Sequence, residues 1–253
     1  MRKLLAIITL TLLTFSCGDS AGDVTPSGYS NKSTSSTGVG GSTARFNITG
    51  NFLYLVNDSE LKAIDISNVE NPKVASTTNL GIGIETIFGY KNNLFIGGQS
   101  GMQIYGINQD GSPSYVSDYS HTTACDPVIA NDNFAYVTIR SGLTCTNDFF
   151  DVNQLITLDI SDITRPYDVD HDQMINPRGL AFFNGDLFVG EGESGLKRFS
   201  LANPSNPELI EYYDNIAAND MIALDKTLII TRDEGIFQFG IEEDSLLLYS
   251  PLK

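Results

Sequence analysis

Short apolar runs recur along the chain with polar, glycine-rich or proline-containing stretches between them. The clearest series is Leu53-Tyr54-Leu55, Leu94-Phe95-Ile96, Ala135-Tyr136-Val137, Leu187-Phe188-Val189 and Leu228-Ile229-Ile230, whose central residues are spaced by 41, 41, 52 and 41. A second series is Ala63-Ile64-Asp65-Ile66, Ile104-Tyr105-Gly106-Ile107, Thr157-Leu158-Asp159-Ile160, Phe199-Ser200-Leu201 and Phe239-Gly240-Ile241. Pro72, Pro113, Pro166 and Pro207 follow with spacings of 41, 53 and 41. Three markers keeping one period define an internal repeat. The runs are short, rich in Leu, Ile, Val, Phe and Tyr, and lack helical periodicity, so they predict strands. In the fourth repeat the strands are predicted at residues 179–183, 186–190, 196–201 and 208–212, with Asn184-Gly185 and Asn203-Pro204 among the turn signals.

A unit of about forty residues and four strands has the size of a propeller blade. A single four-stranded sheet cannot cover its own two faces, whereas five packed around an axis bury one another. The predicted fold is therefore all-β: a five-bladed β-propeller of four-stranded antiparallel blades over residues 44–253, with no chain left for a sixth.

The repeats resemble a known family. Leu61-Lys62-Ala63-Ile64-Asp65-Ile66-Ser67-Asn68 followed by Asn71-Pro72, and Leu155-Ile156-Thr157-Leu158-Asp159-Ile160-Ser161-Asp162 followed by Arg165-Pro166, are similar to the LVIVD repeat of bacterial surface proteins. The fourth repeat keeps Leu196-Lys197-Arg198-Phe199 and Asn206-Pro207 but not the Asp, and Gly106 and Gly240 replace it in the second and fifth. The resemblance implies a β-propeller in an extracytoplasmic setting and no particular reaction. Asp65 and Asp159 themselves have a structural explanation, since a carboxylate after a strand accepts hydrogen bonds from the backbone of the following turn.

Ahead of the repeats stands a different kind of sequence. Residues 1–16 combine Arg2 and Lys3 with an apolar run from Leu4 to Phe15, too short to span a bilayer and suited to a signal peptide. The Ser16-Cys17 junction resembles that of a bacterial lipoprotein, with Cys17 as the lipidated first residue of the mature chain; Thr14 and Phe15 depart from the usual pattern. Residues 17–43 follow as a flexible tether: Gly, Ser and Thr supply 17 of the 26 positions from 18 to 43. Such a segment buries too little apolar surface to offset its chain entropy, and its mean span is about 25–30 Å.

Composition then removes several functions. The formal net charge of −16 disfavours nucleic acid and anionic lipid as partners, so the membrane is met through the lipid anchor only. Two His and three Cys rule out His/Cys zinc clusters and ordinary iron–sulfur sites, and no metal or cofactor is expected. Gly97-Gly98-Gln99-Ser100-Gly101 joins two strands rather than a strand and a helix, so it is no phosphate cradle. Asp168-Val169-Asp170-His171-Asp172 alternates carboxylates, which simple strand geometry places on one side, as charges guarding an edge or as a cation site.

Up-and-down topology sorts the remaining polar residues. The starts of the innermost strands and the loops between the second and third strands lie at one end of the axis. That end collects Glu85, Asp126, Arg178, Asp220 and Arg232, together with the long segment 140–153 of the third repeat. Propeller ligands are met at such loop-rich ends. The candidate binding patch is therefore Glu85, Asp126, Arg178, Asp220 and Arg232, with Phe149 or Phe150 as an apolar anchor unless both pack down over the axis. No nucleophile or metalloprotease motif is present. The expected function is a non-enzymatic binding or scaffold module, lipid-anchored in the bacterial cell envelope at the outer membrane, with a protein or glycan partner. The alternative is an extracellular polysaccharide hydrolase or lyase using carboxylates such as Glu85 and Asp126 in the axial mouth.

Two outcomes follow from the cysteines. Cys17→Ser should release the protein from membranes or block its processing; a variant that stays membrane-bound after the same processing contradicts lipidation. Cys145 lies in the extra residues of the third repeat, Gly142–Asn153, and Cys125 at the start of that repeat's innermost strand, on one face of one blade, and an exported protein should oxidise them. Closing that loop is worth about 3 kcal/mol on the chain-entropy account. Intact mass under non-reducing conditions should show no free thiol at either position.

Overall fold

The structure, a computed structural model, describes residues 41–120, 127–140 and 152–252, with residues 251 and 252 described by their backbone alone. Cys17, Cys125, Asp126, Cys145, Phe149, Phe150 and His121 lie outside the described residues. Every regular element among those described is a strand. The first sheet holds β1 (Phe46–Thr49), β2 (Phe52–Val56), β3 (Glu60–Asp65) and β4 (Lys73–Asn79). The second holds β5 (Ile84–Tyr90), β6 (Asn93–Gly98), β7 (Gly101–Ile107) and β8 (Pro113–Ser120). The third holds β9 (Val128–Ala130), β10 (Phe134–Arg140), β11 (Asn153–Asp159) and β12 (Tyr167–Gln173). The fourth holds β13 (Leu180–Phe183), β14 (Asp186–Gly190), β15 (Leu196–Ser200) and β16 (Glu208–Tyr213). The fifth holds β17 (Asp220–Ala223), β18 (Leu228–Arg232), β19 (Gly235–Glu242) and β20 (Ser245–Leu252). Each sheet is an antiparallel meander in chain order. Five such sheets form the blades of a five-bladed propeller, with β1, β5, β9, β13 and β17 innermost.

Local chemistry accounts for the turns. Asn184 and Gly185 both have positive φ, 53° and 87°, as a two-residue hairpin with the strands' own twist requires. Asp65 Oδ1 accepts the Ser67 amide at 2.8 Å, and Asp159 Oδ1 accepts the Ser161 amide at 2.8 Å. Hydrogen bonds from the Ser67 and Ser161 hydroxyls first, and from their amides next, hold both carboxyls below the usual range, so the repeat's Asp-x-Ser closes a turn. In all five blades the pairing of the third and fourth strands shifts by one residue at an equivalent place, for example between Ala63 and Ile64 and between Thr157 and Leu158. A bulge there bends and twists the outer strand.

That bulge corrects the expectation for the acidic run. Asp168 pairs with Leu158 but Asp170 with Thr157, so Asp168 points to the opposite side of the sheet from Asp170 and Asp172. Asp168 instead bonds His171 Nε2 at 2.9 Å.

Packing follows the second strands. Their central residues Tyr54, Phe95, Tyr136 and Phe188 are fully buried and point toward the next blade. The flanking residues Leu94 and Ile96, Ala135 and Val137, Leu187 and Val189, and Leu228 and Ile230 point back toward the preceding blade and are fully buried too. Four apolar clusters result, one between each successive pair from the first blade to the fifth. Burying one such aromatic contributes about 2–3 kcal/mol. Polar tips are met across the same seams. Tyr54 Oη donates to the Gly111 carbonyl at 2.9 Å and Tyr136 Oη to the Pro204 carbonyl at 2.8 Å. Burial pushes both phenols up to about 12. Between the fourth and fifth blades Arg198 donates to Asp186 at 2.7 Å and to Asp244 at 2.6 Å.

Candidate functional site

The loop-rich end of the axis is built from the starts of the inner strands and the ends of the second strands. Residues 41–44 lie across it. The Leu180 amide donates to Ser42 Oγ at 2.6 Å, Thr43 Oγ1 donates to Asp220 Oδ2, and the Ile87 amide donates to the Ala44 carbonyl at 2.8 Å. Four residues thus touch the inner strands of the second, fourth and fifth blades. Ser42 is fully buried. The carboxylate of Asp220 sits between two glycines: a Cβ on Gly41 would lie 2.5 Å from Oδ2, and one on Gly179 2.4 Å from Oδ1. The last three residues of the span read as tether, 41–43, are therefore packed against the blades.

Charged side chains circle the same end. Arg45 donates to Asp58 at 3.0 Å. Glu85 accepts Gln99 Nε2 at 3.4 Å; burial raises its carboxyl, and that bond, Arg45 and Arg140 oppose the rise. Arg140 is pushed down by burial first and by Arg178 next, with Glu85 acting the other way. Arg178 donates to Asn219 Oδ1 at 2.6 Å, and Asn219 Nδ2 donates to Asp233 at 2.9 Å. The sequence Asp58, Arg45, Glu85, Arg140, Arg178, Asn219, Asp233 is thus a continuous electrostatic path around the mouth. Beneath it, Phe88, Ile129, Leu180, Phe182, Met221 and Ala223 line an apolar cavity of about 160 Å³ between four inner strands.

Of the residues singled out from the sequence, Glu85, Arg178, Asp220 and Arg232 stand at this one end, while Asp126, Phe149 and Phe150 lie outside the described residues. Their partners differ from simple ion pairing. Arg178 is held by an amide, and Arg232 stacks on Phe237 at 4.1 Å and on Phe239 at 5.5 Å. Nε of both arginines is buried without a hydrogen-bond partner among the described residues. Arg140 was not singled out, although it closes β10 as Arg232 closes β18. Nor was the buried pair Lys197–Glu191 at 3.2 Å, whose carboxylate also accepts the Ile175 amide. Among the described residues no group of three His, Cys, Asp or Glu side chains converges as metal ligands do. What the mouth offers is hydrogen-bond donors and charge in fixed positions.

The LVIVD repeat family matches residues 40–79, which span β1 to β4. The propeller is also similar to solved structures at low identity. A protein from Lactobacillus plantarum is 12% identical over 81% of this chain and 72% of its own, with a TM-score of 0.63. Apo AztD from Citrobacter koseri is 13% identical over 79% of this chain, with a TM-score of 0.56. The chain spans 58% of the AztD chain. No curated protein matches the sequence.

Asp220 carries a testable pH effect. Burial raises its carboxyl, and the bonds from Thr43, the Met221 backbone and Ser42 oppose the rise. A carboxyl raised in the folded state costs stability once it ionises, so this contribution improves as pH falls through the folded value. Relative to Asp220→Asn, the natural protein should gain unfolding free energy between pH 7 and pH 4 in urea titrations. A difference that stays constant over that range contradicts the assignment.

Proposed function

We propose that the chain is a cell-envelope lipoprotein, anchored at the outer membrane through Cys17, whose propeller is a non-enzymatic binding or scaffold module for a protein or glycan partner. The observation that carries this reading is the electrostatic path around the loop-rich mouth. It joins guanidinium, carboxylate and amide groups, with Arg140 and Arg178 as neighbouring cations, and buried Nε donors on Arg178 and Arg232 stand at the same end. Buried donors without acceptors are costly, and an incoming carbonyl, hydroxyl or carboxylate would satisfy them. The LVIVD repeat and the propeller fold are consistent with a binding module. Asp126 and an anchor at Phe149 or Phe150 complete the proposed patch.

The hydrolase or lyase reading retains one favourable observation, the raised carboxyl of Glu85, which suits a general acid. Capture from an envelope fraction distinguishes the two. Arg178→Ala and Phe150→Ser should each lower capture more than about tenfold, the loss of one hydrogen-bonded or apolar anchor, with the unfolding midpoint nearly unchanged. Unchanged capture per folded molecule overturns the patch. Turnover of a polysaccharide that Asp126→Asn abolishes establishes the enzyme instead.

A further inference from the structure

Cations are scarce in this chain, and arginine is unevenly placed. There are 15 Lys and Arg against 31 Asp and Glu. Four of the seven arginines, Arg45, Arg140, Arg178 and Arg232, stand at the loop-rich end. Arg45 is paired with Asp58, and Arg232 lies on Phe237 and Phe239. Arg140 and Arg178 differ. Both are half-buried, and neither takes part in an ion pair among the described residues, whereas Arg198 is paired twice.

Strand geometry brings these two together. Tyr136, Thr138 and Arg140 alternate along β10 on the face that meets the fourth blade. Thr138 Oγ1 donates to the Arg178 carbonyl at 2.7 Å, and Arg140 is the next side chain on that face toward the mouth. The Arg178 guanidinium is held from behind. Nη1 donates to Asn219 Oδ1 at 2.6 Å, and a Cβ on Gly192 would lie 2.7 Å from Nε. Gly192 also has a positive φ of 58°, so glycine is favoured there on both counts. A further donor, Asn176 Nδ2, would lie 3.1 Å from the same Cβ. Nη2 of Arg178 has no hydrogen-bond partner among the described residues. Two half-buried guanidiniums side by side repel each other and are poorly hydrated. Arg140 is accordingly pushed down by burial first and by Arg178 next, and the carboxyl that opposes this, Glu85, is itself raised by burial. An anion between the two arginines would relieve both costs.

We propose that Arg140 and Arg178, with the Asn176 amide beside them, bind a single carboxylate group, that of the carboxyl end of a polypeptide. This rests on the binding-module reading and names its ligand. Each guanidinium presents a planar fork that matches a carboxylate. Charge selects among the sources of that group. A net charge of −16 repels a polyanion such as an acidic polysaccharide, whereas a chain end brings one charge to the one place where two cations wait.

The test follows the arginine Nε–H resonances of the nitrogen-labelled full chain in mild detergent, titrated with an acetylated alanine tripeptide that has a free carboxyl end. Arg140 and Arg178 should shift together and saturate on the order of 1 mM, the affinity of two charge-assisted hydrogen bonds. Arg198, already held by Asp186 and Asp244, should not move. The same tripeptide closed by an amide should move none of them. Arg140→Gln and Arg178→Gln should each weaken binding about tenfold with the unfolding midpoint unchanged. Arg140→Lys, which keeps the charge without the fork, should weaken it too. No shift, an equal shift with the amide, or unaltered affinity in the variants overturns the proposal. So does tighter binding of polygalacturonate, which would make an acidic glycan the ligand. A response confined to Asp126→Asn also overturns it, since the chain's own carboxylate would then fill the site. Partner capture that needs Arg178 without any response to a carboxylate overturns the ligand and leaves the binding module standing.

Discussion

A four-stranded sheet with two apolar faces is insoluble alone, and every other feature of this protein answers that constraint. The answer is serial. On the second strand of each of the first four blades one aromatic enters the next blade, where two aliphatics of that blade's second strand receive it. Tyr54, Phe95, Tyr136 and Phe188 carry the series with almost no exposed surface. Where the aromatic is a tyrosine, its hydroxyl finds a carbonyl in the neighbouring blade, so the seam loses no hydrogen bond on burial. Each blade is held by its neighbours, and the stability of the array is a sum over seams.

The same arrangement creates the mouth. First and second strands held in register by the seams bring Glu85, Arg140, Arg178 and Asp220 to one end from four different blades. The chain's own residues 41–44 then bond to three of those blades. Residues 41–44 are therefore part of the candidate site itself.

Much of this was legible in the residues. The 41-residue period, the strands, Asn184-Gly185 and the Asp65 and Asp159 turns are set by local patterning and short-range hydrogen bonds. Features that depend on one residue more or less were not. Simple alternation put Asp168 with Asp170 and Asp172, whereas a bulge inserts one position and turns it away. Residues 41–43 have the composition of a tether, and only the tertiary contacts of Ser42 and Thr43 distinguish them from it. Arg232 stacks on Phe237 and Phe239, a contact between strands that the residue's place at the end of a second strand does not announce. Among the described residues no fifth apolar cluster joins the fifth blade to the first, and this had one trace, Ile229 in a series otherwise aromatic.

Hydrogen exchange read by mass spectrometry tests the serial account most directly. The slowest amides should lie in β6, β10 and β14, whose blades have an apolar cluster on both faces. Amides of β2 and β18 should exchange earlier, because each of their blades has such a cluster on one face only. Equal protection of all five second strands would mean that the fifth seam is closed like the others, and would contradict the account.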